Sequence, residues 1–214
     1  MEMQMGLRCI QVGLSEIKFS QDETEVLVAY SLGSCVGVVL WDPEYRVGGM
    51  AHVFLPYSRA AANREPLGKS HEAAGPLSFG GGIEPGDGIE LGDGIETHVR
   101  RTRPAPVPGG NGEPPGKYGE AAVKYLVARM LGLGCRRENL AAAIAGGASV
   151  IKGLSPPFGD IGSLNSQVVE STLIKERIRI AGKDTGGNHG RTVRLYIGSG
   201  KVTVSTIHHS EIEL

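Results

Sequence analysis

The chain has 214 residues, a formal charge of −1 and a 40% share of hydrophobic residues, which suits one domain with a substantial core. That balance, with a sequence pI near 6.6, gives no global electrostatic reason to expect nucleic acid or an anionic membrane as partner. Three cysteines, Cys9, Cys35 and Cys135, are odd in number and widely spaced, which argues against a secreted disulfide framework and for reduced thiols in the cytoplasm.

The N-terminal MEMQMGLRCIQVGL carries an early glutamate and no long apolar block, so it reads as neither signal peptide nor membrane anchor. VLVAYS (26–31) and VGVVLW (36–41) are short β-branched runs with the length of buried strands. DPEYRVGG (42–49) offers Pro and paired glycines for a reversal, and MAHVFL (50–55) reads as the next strand, closed by Pro56. Paired as an antiparallel hairpin, these runs bring Cys35 and His52 to the same end of the ladder.

From about 59 to 116 the chain is rich in Gly, Pro and charge, with GIEPGD, GIELGD and GIE repeated too few times to build a solenoid. We read it as a flexible insertion that buries too little apolar area to offset its ordering entropy, with His71 and His98 solvated. Helical spacing returns at KYGEAAVKYLVARMLGLG, where Val123, Leu126, Val127, Met130 and Leu131 share a face and Gly132 and Gly134 mark the stop. LAAAIAGGAS reads as a buried strand ending in a glycine bend. SLNSQVVESTLIKER reads as a second helix capped by Ser163, and IRIAGKD as a strand. RTVRLYI and KVTVSTI around Gly198, Ser199 and Gly200 form a hairpin pattern. The sum is a mixed α/β (α+β) single domain, 1–214, interrupted by the 59–116 insertion.

Chemistry concentrates at Cys35. A buried cysteine is usually an inert small hydrophobe, the reading kept for Cys9 and Cys135. Gly33, Ser34 and Gly37 around Cys35 remove side-chain bulk, leaving room for a substrate and exposing main-chain N–H groups of Ser34 and Cys35 to a developing oxyanion. An unperturbed thiol, with a pKa of about 8.5, needs a base near neutrality, and imidazole at about 6.5 suits the task; His52 is the candidate. The competing reading makes His52 a core histidine satisfied by a hydrogen bond. His189, in DTGGNHGR, ranks lower because that segment reads more simply as a tight turn.

Other motifs fail on inspection. GGNGEPPGKY has Asn111 where a phosphate loop needs Gly and Tyr118 where it needs Ser or Thr. No CxxC or HExxH occurs, and His208 and His209 lack nearby cysteines, so neither a metal nor a cofactor is expected. Gly33-Ser34-Cys35-Val36-Gly37 matches a nucleophile elbow, but that elbow leads into a helix and VGVVLW is strand-like.

SLGSCVGVVLWDP, GGMAHVFLP, KYGEAAV, GLGCRRENL, GGAS, IGSLN and DTGGNHGR, in this order, resemble the signature blocks of CheD, the chemoreceptor glutamine deamidases of chemotaxis. The resemblance covers nearly the whole chain outside the insertion. It implies a cytoplasmic enzyme that converts receptor glutamines to glutamates, with Cys35 as nucleophile and His52 as its partner. It further implies a β-sheet sandwich with flanking helices like that of the cytotoxic necrotizing factor deamidases. The implied partners are the chemoreceptor cytoplasmic domain and a CheC-type phosphatase.

One position departs from the family. A threonine is usual six residues before the cysteine, and Ala29 stands there. Ser31 offers a hydroxyl on the same strand face, displaced by roughly 6–7 Å; Ser31, a main-chain carbonyl or water are the candidates for orienting His52. Two other classes of function stand beside the deamidase. One is a binding-only regulator that has lost catalysis, suggested by Ala29, and the other a thiol redox sensor, which lacks a resolving cysteine near Cys35 in sequence.

Overall fold

The computed structural model describes residues 6–58, 113–149, 160–207 and 209–214. One sheet is ordered β1 (Arg8–Gln11), β3 (Glu25–Leu32), β8 (Arg191–Tyr196), β9 (Val202–Thr206) and β10 (Ile212–Glu213). The second is ordered β2 (Ile17–Ser20), β5 (Val47–Val53), β4 (Val36–Asp42), β6 (Ala141–Gly146) and β7 (Arg179–Thr185). Two helices, α1 (Gly119–Gly132) and α2 (Ile161–Lys175), complete the described secondary structure with a short 3-10 turn at Arg137–Asn139.

The layering follows from β4, which is apolar on both faces. Val36, Val38 and Leu40 join Val123, Leu126 and Met130 of α1 and Val169 and Leu173 of α2. Val39, on the opposite face, joins Leu27, Val193 and Leu195 of the first sheet. The second sheet is therefore the middle layer, with helices on one side and the first sheet on the other, which is why its central strand reads as a continuous apolar run. Full burial of each such Val or Leu contributes roughly 1.5–3 kcal/mol.

The expected hairpin forms: β4 and β5 are antiparallel, with Gly37 opposite His52. The β8–β9 hairpin forms as well, and the β6–α2–β7 segment is a crossover between parallel strands. The reversal between β4 and β5 differs in detail. The Asp42 carboxylate accepts from the N–H groups of Glu44 and Tyr45, and Arg46 takes φ 49°, so Asp42 to Arg46 make the turn. Gly48 and Gly49 are instead strand residues. A Cβ on Gly48 would lie 2.5 Å from Ile197 Cδ1, and one on Gly49 2.8 Å from Phe19 Cδ1.

The cap of α2 is Asp160, whose carboxylate accepts from the Ser163 N–H; Ser163 is three residues inside, because the aspartate supplies the stronger charged acceptor. Strands β1, β2 and β10 lie in segments where sequence periodicity is too short to announce them. The repeats at 82–96, His71, His98, Asn111 and His208 lie outside the described residues, as does 59–112 of the proposed insertion. On either side of that interval, the Leu55 N–H donates to Lys117 O at 2.8 Å and the Gly119 N–H to Leu55 O at 2.9 Å. Among the described residues no helix is long and apolar enough to cross a membrane.

Arg191 ties the sheets together at the β7–β8 connection. It is 4% exposed, forks onto both oxygens of Asp184 at 2.9 and 3.0 Å, and donates to Gly186 O at 2.8 Å. Arg191→Met is expected to destabilise the protein by about 3 kcal/mol, the low end for breaking a buried pair because Asp184 retains some solvent. Urea unfolding checks it: the midpoint falls with the slope unchanged.

Candidate active site

Cys35 lies in the bend between β3 and β4, one residue before the ladder begins. Odd-numbered side chains of β4 and even-numbered side chains of β5 face the first sheet, as Val39 and Met50 show. Cys35 packs against that inter-sheet cluster, and His52 shares its face by register, opposite Gly37. Cys35 and His52 are thus diagonal neighbours on one face of an antiparallel pair, a relation that spans roughly 7–8 Å between backbones and lies within reach of long side chains.

Gly37 sits between them for a packing reason. A Cβ there would lie 2.9 Å from Leu32 Cδ1 and 3.7 Å from Val193 Cγ2. The space attributed to the glycine collar is therefore filled, at Gly37, by Leu32 and does not open to a substrate. Access comes at the bend itself, where Gly33, Ser34 and Cys35 are all half-buried.

His52 is 6% exposed. Its Nδ1 lies 3.3 Å from the carbonyl of Val12. A carbonyl only accepts, so Nδ1 carries the proton and Nε2 keeps its lone pair. That Nε2 is buried without a hydrogen-bond partner among the described residues, an arrangement that costs on the order of 1–3 kcal/mol. Burial lowers the His52 pKa below its usual range, against a smaller opposing contribution from Val12 O. Burial likewise raises the Cys35 thiol, with its own N–H working the other way. Both shifts favour the neutral forms, a thiol at Cys35 and at His52 an imidazole with one free lone pair.

The bend is held by main-chain bonds from the end of β6. The Gly147 N–H donates to Cys35 O at 2.8 Å and the Ala148 N–H to Gly33 O at 2.7 Å. Gly146 takes φ +114°, and a Cβ there would lie 2.2 Å from Cys35 O, so glycine is required both by conformation and by space. Among the described residues no main-chain carbonyl accepts from the N–H of Ser34 or Cys35.

Ser31 is not brought to this face. Between Ala29 and Leu32 the β3–β8 pairing gains an extra residue on β3, and Ser31 takes φ 57° and is exposed. The bulge breaks the two-residue alternation, so Leu32 occupies the core where Ser31 would have pointed. Ala29 is fully buried between the sheets. His189 lies in the β7–β8 connection, where Gly186 and Gly187 have positive φ as a turn requires.

The other cysteines are placed apart. Cys135 lies in the cluster on the helix side of the second sheet, and burial, reinforced by Asp42, pushes its thiol up to about 12. Cys9 is exposed on β1.

One residue at the site had no role in the sequence reading. Asn165 on α2 is fully buried, and its Nδ2 donates to Ser34 O at 2.8 Å and to Phe54 O at 3.1 Å. A carboxamide in the IGSLN block, on the helix face that also carries Val168, Val169 and Leu173, was the available signal.

Comparison with known proteins agrees with the signature blocks. Residues 104–206 match the family described as CheD chemotactic sensory transduction. A protein of Symbiobacterium thermophilum named probable chemoreceptor glutamine deamidase CheD is 35% identical, over 95% of this chain and 95% of its own length. A relative of the same name from Desulforamulus reducens is 31% identical over 97% of this chain and 96% of its own length. A third, from the archaeon Methanococcus vannielii, is 30% identical over 91% of this chain and 92% of its own. The family match begins beyond Cys35 and His52, whereas these relatives span nearly the whole chain.

The neutral resting pair has a direct chemical consequence, since the thiolate is the nucleophile toward alkylating agents. At pH 7 iodoacetamide is expected to modify exposed Cys9 faster than Cys35, and Cys135 slowest, with the Cys35 rate climbing as pH passes 9. Peptide mass mapping over time checks the order; a Cys35 faster than Cys9 at pH 7 would mean a resting thiolate–imidazolium pair.

Proposed function

The chain belongs to the CheD family, and on that premise we propose that it is a protein-glutamine deamidase acting on chemoreceptors, with Cys35 as nucleophile and His52 as general base. The observation that carries the residue assignment is the shared inter-sheet face of Cys35 and His52, with His52 Nε2 buried and unpartnered while Nδ1 is held at Val12 O.

The chemistry follows from that protonation state. As Sγ attacks the glutamine carboxamide carbon, its proton passes to His52 Nε2, and the carbonyl oxygen gains negative charge opposite the N–H groups of Ser34 and Cys35. Collapse of the tetrahedral species breaks the C–N bond, with the imidazolium proton going to the departing ammonia, and a thioester remains. Water, deprotonated by the restored imidazole, then attacks the thioester; glutamate forms and the thiol regains its proton. Burial that keeps both groups neutral at rest suits a proton transfer coupled to attack. The Val12 carbonyl takes the orienting role for which the sequence offered Ser31, a carbonyl or water.

The wider reading rests on the same membership. One domain spans 1–214 with the 59–116 interval inserted, and two sheets with helices on one side agree with kinship to the cytotoxic necrotizing factor deamidases. The receptor's cytoplasmic domain is the substrate, a CheC-type phosphatase is the regulatory partner, and the enzyme works in the cytoplasm. A redox-sensor role finds less support, because Cys135 packs on the far side of the second sheet from Cys35.

Ammonia release from a receptor cytoplasmic fragment tests the assignment: Cys35→Ala is expected to abolish it and His52→Ala to lower kcat by about 10²–10⁴-fold, and full activity in either variant rejects it. A second expectation concerns pH. His52 must be neutral to accept the proton, and burial lowers its pKa. The acid limb of kcat/KM is therefore expected below pH 6.5, with activity lost as pH falls through the His52 pKa. A limb at or above pH 7 would contradict the buried-imidazole reading.

A further inference from the structure

The β4–β5 ladder ends at Val36 and Val53. Cys35 and Phe54 would form the next pair, but the chain bends away there. Just beyond the last pair, Asn165 links the bend to the end of β5 instead, with Nδ2 donating to Ser34 O at 2.8 Å and to Phe54 O at 3.1 Å. The orientation of this amide is dictated by its partners: turned over, Oδ1 would face two carbonyl oxygens. Both Nδ2 protons are used, and Oδ1 is left buried without a hydrogen-bond partner among the described residues.

Ser34 C=O and Cys35 N–H belong to one peptide group. In a trans peptide these two bonds point in opposite directions. Asn165 belongs to α2, on the helix side of the second sheet, so a Ser34 carbonyl fastened to it turns the Cys35 N–H toward the opposite, inter-sheet face. That is the face on which Cys35 packs.

We propose that Asn165 is a positioning residue of the deamidase site: by holding Ser34 O and Phe54 O it fixes the Ser34–Cys35 peptide plane and aims the Cys35 N–H at the oxygen of the scissile carboxamide. This rests on Cys35 being the nucleophile. Asn165 touches no reacting atom; it acts through the peptide it orients. An apolar residue there would leave two carbonyls unsatisfied and the N–H free to swing, while the thiol itself would stay packed against the inter-sheet cluster.

The test separates alignment of the oxyanion donor from loss of the nucleophile. In the full chain, Asn165→Asp keeps the side-chain shape but cannot donate to both carbonyls at once, since a carboxyl has at most one O–H, and Asn165→Ala removes the amide altogether. Each is assayed for ammonia release from a receptor cytoplasmic fragment and for iodoacetamide alkylation of Cys35, a displacement that needs no oxyanion donor. Val169→Ala, one turn along the same helix and fully buried, serves as the control for general loosening. The expected result is a fall in kcat of about 10²-fold, as for loss of one oxyanion donor, with KM and the Cys35 alkylation rate within threefold of wild type and Val169→Ala near wild type in all three. Either Asn165 variant that folds suffices, judged by circular dichroism. The proposal is overturned by a folded variant that keeps its kcat, by a Cys35 alkylation rate that falls in step with kcat, by an equal loss in Val169→Ala, or by failure of both variants to fold, which would make Asn165 a structural residue. Activity persisting in Cys35→Ala would instead overturn the nucleophile assignment.

Discussion

The 2.8 Å bond from the Gly147 N–H to the Cys35 carbonyl is the contact on which the geometry of the site depends. A bend between two strands has no ladder of its own to define it, and here the end of β6 folds over the bend and supplies the missing donors to Cys35 and Gly33. The approach is so close that a Cβ at Gly146 would fall 2.2 Å from the Cys35 oxygen, so the glycine pair and the cysteine bend form one packing unit. The same strand end accepts from the β7–β8 connection, where the Gly186 N–H donates to Gly146 O at 2.9 Å and Arg191 braces the segment from within. A line of main-chain bonds therefore runs from the connection between the two sheets to Cys35.

Burial sets the chemical state of the pair held in that frame. Taking charge out of water penalises both an imidazolium and a thiolate, and the Cys35 and His52 shifts run in the directions this requires. A preformed ion pair would have needed compensating donors around both groups. The seam offers instead one carbonyl to Nδ1 and a vacant lone pair at Nε2. Reactivity in the proposed enzyme then belongs to the encounter with an amide, which supplies the acceptor for the nucleophile's electrons, and the resting thiol is shielded from casual alkylation and oxidation.

The hairpin, both helices and the glycine bend after β6 were legible because each has a periodicity or a stop signal several residues long. That Cys35 and His52 fall at the same end of the ladder was legible for the same reason: a reversal midway between two apolar runs fixes which ends meet. What escaped were features set by single contacts between distant segments. Gly48 and Gly49 look like turn residues until Ile197 and Phe19 are seen packed where their side chains would be. Ser31 keeps the parity of Ala29 in the sequence, yet one inserted residue on β3 exchanges it with Leu32. Asn165 is an ordinary helical asparagine until its amide is found between two carbonyls more than a hundred positions away in the chain.

These particulars bear on the alanine that stands where the family resemblance leads one to expect a threonine. Ala29 lies fully buried in the seam and can orient nothing, but the ring of His52 is held by Val12 O, and Val12 is fixed in turn by its N–H on Val28 O at 2.8 Å. The carbonyls of Val12, Ser34, Cys35 and Phe54 that position this pair are all main-chain atoms. A main-chain acceptor cannot be lost to a substitution at its own position as a hydroxyl can; it moves only if the strand moves. The demand for side chains of fixed identity is thereby displaced from the orienting shell to the residues that let the backbones approach, Gly146 and Gly147, and to the one amide that bridges them from α2.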